Sequence, residues 1–221
     1  MRHVLLAFVC LPCAAPVMAA DRVTALKALY AEFWEENLRL NPILATQAGD
    51  PRYNAELPNF LSAAHEQQLR EFHQRYLDSA KLLGTRGLSG QDRLSYDVFT
   101  LNRESALARF GFPERLLPIN QFYSIANSFA QLGSGKGAQP FVTVKDYDDW
   151  LSRAAKYPVV FDQAIANMRE GATRGLVQPR VLMEKVLPQL DANIVDDPEK
   201  SIFWGPVTAV PGGFAAAAGV R

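Results

Sequence analysis

Residues 63–83, AAHEQQLREFHQRYLDSAKLL, decide how the chain is read. His65-Glu66 opens like the helix motif HExxH, in which two histidines one turn apart reach a single zinc ion and the glutamate serves as general base. The position that needs the second histidine is Leu69, and the next histidine is His73. From His65 to His73 a helix climbs roughly 12 Å and turns about 80°. Zinc–nitrogen bonds of about 2 Å cannot bridge that gap. What the stretch does carry is helical periodicity. Leu69, Phe72, Tyr76, Ala80 and Leu83 fall on one stripe, with His65 and His73 at its borders. Ser62 stands where an N-cap belongs and Gly84 where a helix ends.

The same punctuation recurs outward from this helix. Asp21 can cap a first helix, RVTALKALYAEFWEENLRL, with Val23, Leu26, Tyr30, Phe33, Trp34 and Leu38 on its apolar face and Glu35–Arg39 as an i, i+4 pair. Asn41-Pro42 ends it and starts a short helix. Ser89 and Asp92 suggest a capping box for a helix to about Phe110. Residues 111–141 are irregular, with room only for short helical pieces. Thr143 with Asp146 caps the next helix, whose inward face is expected to hold Tyr147, Trp150/Leu151 and Ala154. Pro158 opens another, with Phe161, Ala164/Ile165, Met168 and Ala172 inward and Gly171 and Gly175 at its end. Pro179 starts a last one, with Met183, Val186/Leu187, Leu190 and Ile194 inward and a kink at Pro188. No run shows strand alternation. The class is all-α: antiparallel amphipathic helices, read as part of a larger helical domain.

Residues 1–20 have a basic start at Arg2, an apolar run and a small-residue end, the pattern of a secretory signal cleaved after Ala19 or Ala20. Both cysteines, Cys10 and Cys13, lie in it, so the mature chain offers no thiol ligand or disulfide. The whole chain balances 23 basic against 23 acidic side chains, and loss of Arg2 leaves one net negative charge. Nucleic-acid binding would call for a basic face and is not expected. With no later run apolar enough to cross a bilayer, a secreted or periplasmic protein free of the membrane is expected. The domains read as signal 1–20, helical domain 21–204, and an irregular, low-charge segment 205–221 that carries a single charge, Arg221.

Chemistry is sparse. GSGKG (133–137) lacks the Gly at 130 and the Ser or Thr at 137 of a phosphate loop and reads as a flexible linker. DYDDW (146–150) clusters acids in a first helical turn, where the helix dipole already accounts for them. No catalytic or metal-ligating residue is assigned. Asn120, Gln121 and Tyr123, polar and aromatic groups on the irregular stretch, are the candidate cleft residues.

Two stretches carry a resemblance. FWEENLRLNPILATQAGDPRYNAELPNF holds an N-P-x-x-A-T-x-x-G turn at Asn41, Pro42, Ala45, Thr46 and Gly49. PFVTVKDYDDWLSRAAKYPVVFDQAIANMREGATRGLVQPRVLMEKVLPQL holds D-Y-x-x-W-L-x-R at Asp146, Tyr147, Trp150, Leu151 and Arg153. It continues with P-x-x-x-D-Q-x-I-x-x-M-R-x-G at Pro158, Asp162, Gln163, Ile165, Met168, Arg169 and Gly171. In order and spacing these resemble, over residues 23–205, the bacterial family called domain of unknown function 885. Its members look like all-helical zinc metallopeptidases, far longer than this chain, with their HExxH helix in the C-terminal half. The resemblance therefore implies an exported N-terminal fragment of a peptidase-like hydrolase, with zinc only in the full-length family and no cofactor in this chain. Its partners would be peptides or the missing C-terminal half. A stand-alone helical binding or scaffold module is the alternative, and an enzyme using unpaired carboxylates a third. On the fragment reading, Trp34, Trp150, Phe161 and Leu190 are candidates for apolar surface left uncovered.

Overall fold

The computed structural model describes residues 19–208 and residue 210. Every regular element among them is helical. The signal region 1–18 and residues 211–221 lie outside the described residues, and the expected cleavage sites Ala19 and Ala20 fall at the start of the first helix.

The first body is built from α1 (Ala19–Leu40), α3 (Ala63–Leu83) and α4 (Gly90–Arg109), with α3 packed on both neighbours. Ser62 caps α3 by accepting from the His65 N–H at 3.1 Å, and Gly84, at φ 68°, ends it. The stripe faces inward as its period requires. Phe72, Tyr76 and Ala80 are buried, and Leu69 and Leu83 pack at the margins. Phe33 of α1 stacks on Phe72 at 4.8 Å and meets Tyr76 and Phe99 edge-on at 5.3 and 5.2 Å, locking the three helices. Arg22 adds a tie, donating to the carbonyls of Leu83 and Arg86.

Three local expectations fail here. Asp21 lies inside the first turn of α1 rather than at its cap. Ser89 forms no side-chain cap bond, so the Ser89–Asp92 box is absent. Glu35 does not pair with Arg39: it reaches Arg52 at 2.7 Å, and Arg39 takes Glu36. An earlier helix start displaces Asp21 from the cap, and Arg52 and Glu36 take up the two members of the Glu35–Arg39 pair.

The second body comprises α5 (Ile125–Leu132), α6 (Val144–Ala155), α7 (Tyr157–Thr173), α8 (Arg180–Asp191) and α9 (Trp204–Thr208). Leu57, Phe129 and Val160 form its centre. The capping box at Thr143–Asp146 is complete. On each helix the first of the two expected alternatives turns inward: Trp150 and Ala154 pack against this centre, and Ala164 and Val186 are fully buried. On α6, Leu151 is exposed and Arg153 is buried. On α7, Val160, Ala164, Asn167 and Gly171 are buried whereas Ile165 is at the surface. On α8 Val186 is buried and Leu187 is exposed, and Ile194, expected inward on this helix, lies exposed beyond its end. Helix α8 is held to α5 by amides. Asn127 donates to Gln189 at 3.1 Å and Asn193 donates to Asn127 at 3.1 Å. Helix α8 runs on through Pro188 to Asp191. Of the four large side chains named as uncovered, Trp34 is 45% exposed, while Trp150, Phe161 and Leu190 are partly buried.

The 133–137 loop is not a loose linker. A Cβ at Gly133 would lie 2.1 Å from the Trp150 ring, and one at Gly137 would lie 2.4 Å from the Gln131 carbonyl, so glycine is required by close approach. Helix α9 closes over this loop. Gly205 sits on the Ser134 carbonyl, and the Tyr147 hydroxyl donates to the Pro206 carbonyl at 2.8 Å. The expected boundary between 204 and 205 thus falls inside a packed helix.

Candidate functional site

The motif residues meet around one guanidinium. In the first stretch, Pro42 opens α2 (Pro42–Gln47), Ala45 is fully buried, and Thr46 Oγ1 lies 2.7 Å from Asn54 Oδ1. Gly49 takes φ 80°, a left-handed turn that suits glycine, and Asp50 caps the 3₁₀ turn Pro51–Tyr53. This path leaves the Tyr53 and Glu56 carbonyls pointing inward. Arg153 of α6, with no solvent exposure, answers them. Its Nε donates to the Glu56 carbonyl at 3.0 Å, and its Nη2 donates to the Tyr53 carbonyl at 2.7 Å and Thr46 Oγ1 at 3.0 Å. Its Nη1 donates to Gln139 Oε1 at 2.6 Å. Burial pushes the guanidinium down to about 10, still far above neutrality, so the cation stays charged and is carried by neutral oxygens. Pro42, Thr46 and Arg153 therefore hold the fold. Asn167 and Gln163 play a similar part, Asn167 donating to the Leu61 carbonyl at 2.8 Å.

This lock positions a cavity of about 310 Å³. Ile43 and Gln47 of α2, Leu57 and Phe60 of the loop it clamps, Pro118 and Tyr123 of the irregular stretch, and Phe129 and Leu132 of α5 form its walls. The lining is largely apolar with hydroxyls and amides at the edge, the composition of a small-ligand site. Tyr123, 75% exposed, stands at the mouth. Asn120 and Gln121 do not line it. Asn120 Oδ1 accepts from the N–H groups of Phe122 and Tyr123 at 2.8 and 2.9 Å, and so shapes the turn that presents Tyr123. The Gln121 backbone carbonyl accepts from Gln189. Phe60 also borders two further cavities, one toward His65 and one toward His73.

The two histidines do not share a site. His65 is buried, beyond the border position expected for it, and lines the cavity beside Leu40 and Pro58. His73 lies half-buried among Phe33, Phe72 and Phe110. In DYDDW, Asp146 completes the capping box and Asp149 pairs with Lys145 at 2.6 Å, so the acids do not converge. Among the described residues no group of three or more His, Cys, Asp or Glu side chains is placed to hold a metal ion. No helix among them is long and apolar enough to cross a membrane.

His73 has a measurable consequence. Burial, with the nearby Arg103 charge, pushes its imidazole down to about 4 from 6.5. The folded state holds it neutral while the unfolded chain takes a proton, so its contribution is full above pH 6.5 and is lost as pH falls toward 4. We expect about 2 kcal/mol of acid destabilisation from this residue, taken below the full shift because the ring is only partly buried. Urea unfolding across that window checks it; His73→Phe should flatten the slope, and an unchanged slope contradicts it.

From sequence Arg153 was named only as a motif residue, with no role given to it, and Phe60 was not singled out. A charged residue three positions from Trp150 and beside Ala154 on the α6 face was the available signal for the first; nothing local marked the second. The profile of bacterial proteins of unknown function called DUF885 matches residues 42–221, beginning at the first residue of α2 and including the low-charge segment. Comparison with curated proteins and with solved structures finds no match. With the match covering most of its length and its motifs meeting at the Arg153 lock, this chain belongs to the bacterial DUF885 family.

Proposed function

We propose that the chain is the ligand-recognising helical part of a peptidase-like hydrolase, and that the cavity beneath Tyr123 receives an apolar side chain of an extended peptide. The observation that carries this is the cavity itself: about 310 Å³ of largely apolar space, held open by a buried polar lock and bordered by an exposed tyrosine. Its size suits a leucine- or phenylalanine-sized group, whose burial contributes about 1.5–3 kcal/mol. The peptidase element rests on the sequence resemblance, and no catalytic residue is assigned to this chain. A cavity lined by this chain's own residues equally suits a self-sufficient binding module. The two readings part on turnover. A family C-terminal half added in trans should cleave the bound peptide under the first reading and leave it intact under the second.

Binding itself is tested by titrating short N-acetylated leucine peptides into the full chain. Ser128 is exposed at the cavity edge, so Ser128→Trp should fill the mouth without disturbing the core. We expect affinity to fall at least about tenfold, equivalent to the lost burial of one side chain. Equal affinity for the two proteins would exclude this cavity as the site.

A further inference from the structure

The cavity beneath Tyr123 has a second property besides its apolar walls: among the described residues, none with a charged side chain lines it. The charged residues next in sequence to the lining are Glu56, Lys136 and Lys156. Glu56 and Lys156 pair with each other at 2.8 Å, and Lys156 also donates to the Ala55 carbonyl at 2.9 Å. Lys136 is exposed and does not line the cavity. The ionisable groups of the lining are the hydroxyls of Tyr123 and Tyr157. Burial alone pushes the Tyr157 hydroxyl above its usual range, so this wall penalises an anion and supplies no cation to offset the penalty.

The edge is polar without being charged. Gln47, Ser128 and Gln131 are exposed residues of the lining, and the two glutamine side chains form no hydrogen bond among the described residues. A carboxamide both donates and accepts, as does a hydroxyl. Such groups match the N–H and C=O of a polypeptide main chain, which carries no net charge. A free α-ammonium or α-carboxylate on the residue whose side chain enters is brought to this edge, partly out of water. It meets no opposite charge among the lining residues, so no ion pair offsets its desolvation.

We infer that the cavity selects a residue from the interior of a peptide chain, joined to both neighbours through amides, and disfavours a residue at either charged end. Gln47 and Gln131 are the specificity-determining residues, exchanging hydrogen bonds with the main chain, and the uncharged lining excludes the ends. This rests on the reading of the cavity as a peptide side-chain site and specifies its ligand as an uncharged internal segment.

The test uses ligands that share one leucine side chain: N-acetyl-leucine N-methylamide, with both ends blocked; leucine N-methylamide, with a free amine; and N-acetyl-leucine, with a free carboxylate. Each is titrated into the full chain at about pH 6.5, where the amine is protonated and the carboxylate ionised. Binding is read from the methyl chemical shifts of Leu57 and Leu132, which line the cavity. We expect the blocked ligand to bind at least about fivefold more tightly than either charged one. Gln131→Arg, at an exposed position, should supply a cation and bring N-acetyl-leucine at least within about twofold of the blocked ligand, leaving the free amine disfavoured. Equal binding of all three at these methyl groups, or an unchanged ranking in Gln131→Arg, would overturn the selection of interior residues and leave the cavity as an apolar side-chain site. A preference of the unaltered chain for either charged ligand would overturn it too, and a preference for the carboxylate would turn attention to Lys136. Shifts at neither leucine with any ligand would overturn the cavity reading and this inference with it. The comparison of ligands needs no variant and so decides even if Gln131→Arg folds poorly.

Discussion

Replacing Arg153 by methionine should lower the free energy of unfolding by about 3–5 kcal/mol, enough to remove much of a typical domain's margin. The side chain is fully buried and donates to the carbonyls of Tyr53 and Glu56, to Thr46 Oγ1 and to Gln139 Oε1. Methionine fills similar space but strands those acceptors, each at about 1–3 kcal/mol when water cannot reach it. Relief of the buried cation's desolvation offsets part of the loss. Lysine should recover little, since one ammonium cannot serve acceptors spread around a planar fork. The loss has a defined location. Arg153 lies on α6, whereas three of its acceptors come from residues 46–56, so the variant should loosen that segment before the α1–α3–α4 body. Amide hydrogen exchange reads this directly. Early exchange confined to 42–60 and 144–155 is expected, and a variant with the unaltered urea midpoint would refute the lock.

Phe129→Ala should cost a comparable amount, about 3–5 kcal/mol, for a different reason. Phe129 stacks on Tyr157 at 3.8 Å and on Trp150 at 4.8 Å, with Phe203 6.5 Å away. Removing the ring leaves a void continuous with the cavity beneath Tyr123 and takes away the contacts that centre the second body. Phe203, at 38% exposure, is the internal comparison: Phe203→Ala should lose well under half as much. Urea midpoints of the two variants, measured side by side, decide it. Equal losses would mean that the stack is not the centre of this core.

What could be read from sequence was what is set within a few residues. The stripe from Leu69 to Leu83, the Ser62 cap, the Gly84 stop and the Thr143–Asp146 box each depend on a single turn of helix, and each is present. The choice of inward face on α6, α7 and α8 was less legible. Adjacent apolar residues such as Trp150/Leu151 or Ala164/Ile165 fit the same period, and only the packing partner selects between them. Arg153 inverted the usual rule for charged residues because its acceptors lie about 100 positions away in sequence. The glycines of 133–137 resembled a linker for the same reason. The groups that crowd Gly133, Ser134 and Gly135, from Trp150, Gly205 and Pro206, come from later helices. Of the three candidate cleft residues, Tyr123 borders a cavity. Asn120 and Gln121, chosen with it, serve the turn and the α8 contact.

Recognition of an apolar side chain beneath Tyr123 is tested most directly by photo-crosslinking. An N-acetylated peptide carrying a diazirine analogue of leucine would be irradiated with the full chain and the adducts located by peptide sequencing. Labels on Ile43, Leu57, Phe60 or Leu132, suppressed by Ser128→Trp, are the expected result. Labels concentrated instead on the exposed apolar side chains of α4 and α8, such as Leu94, Leu101 and Leu187, and unaffected by that substitution, would contradict it.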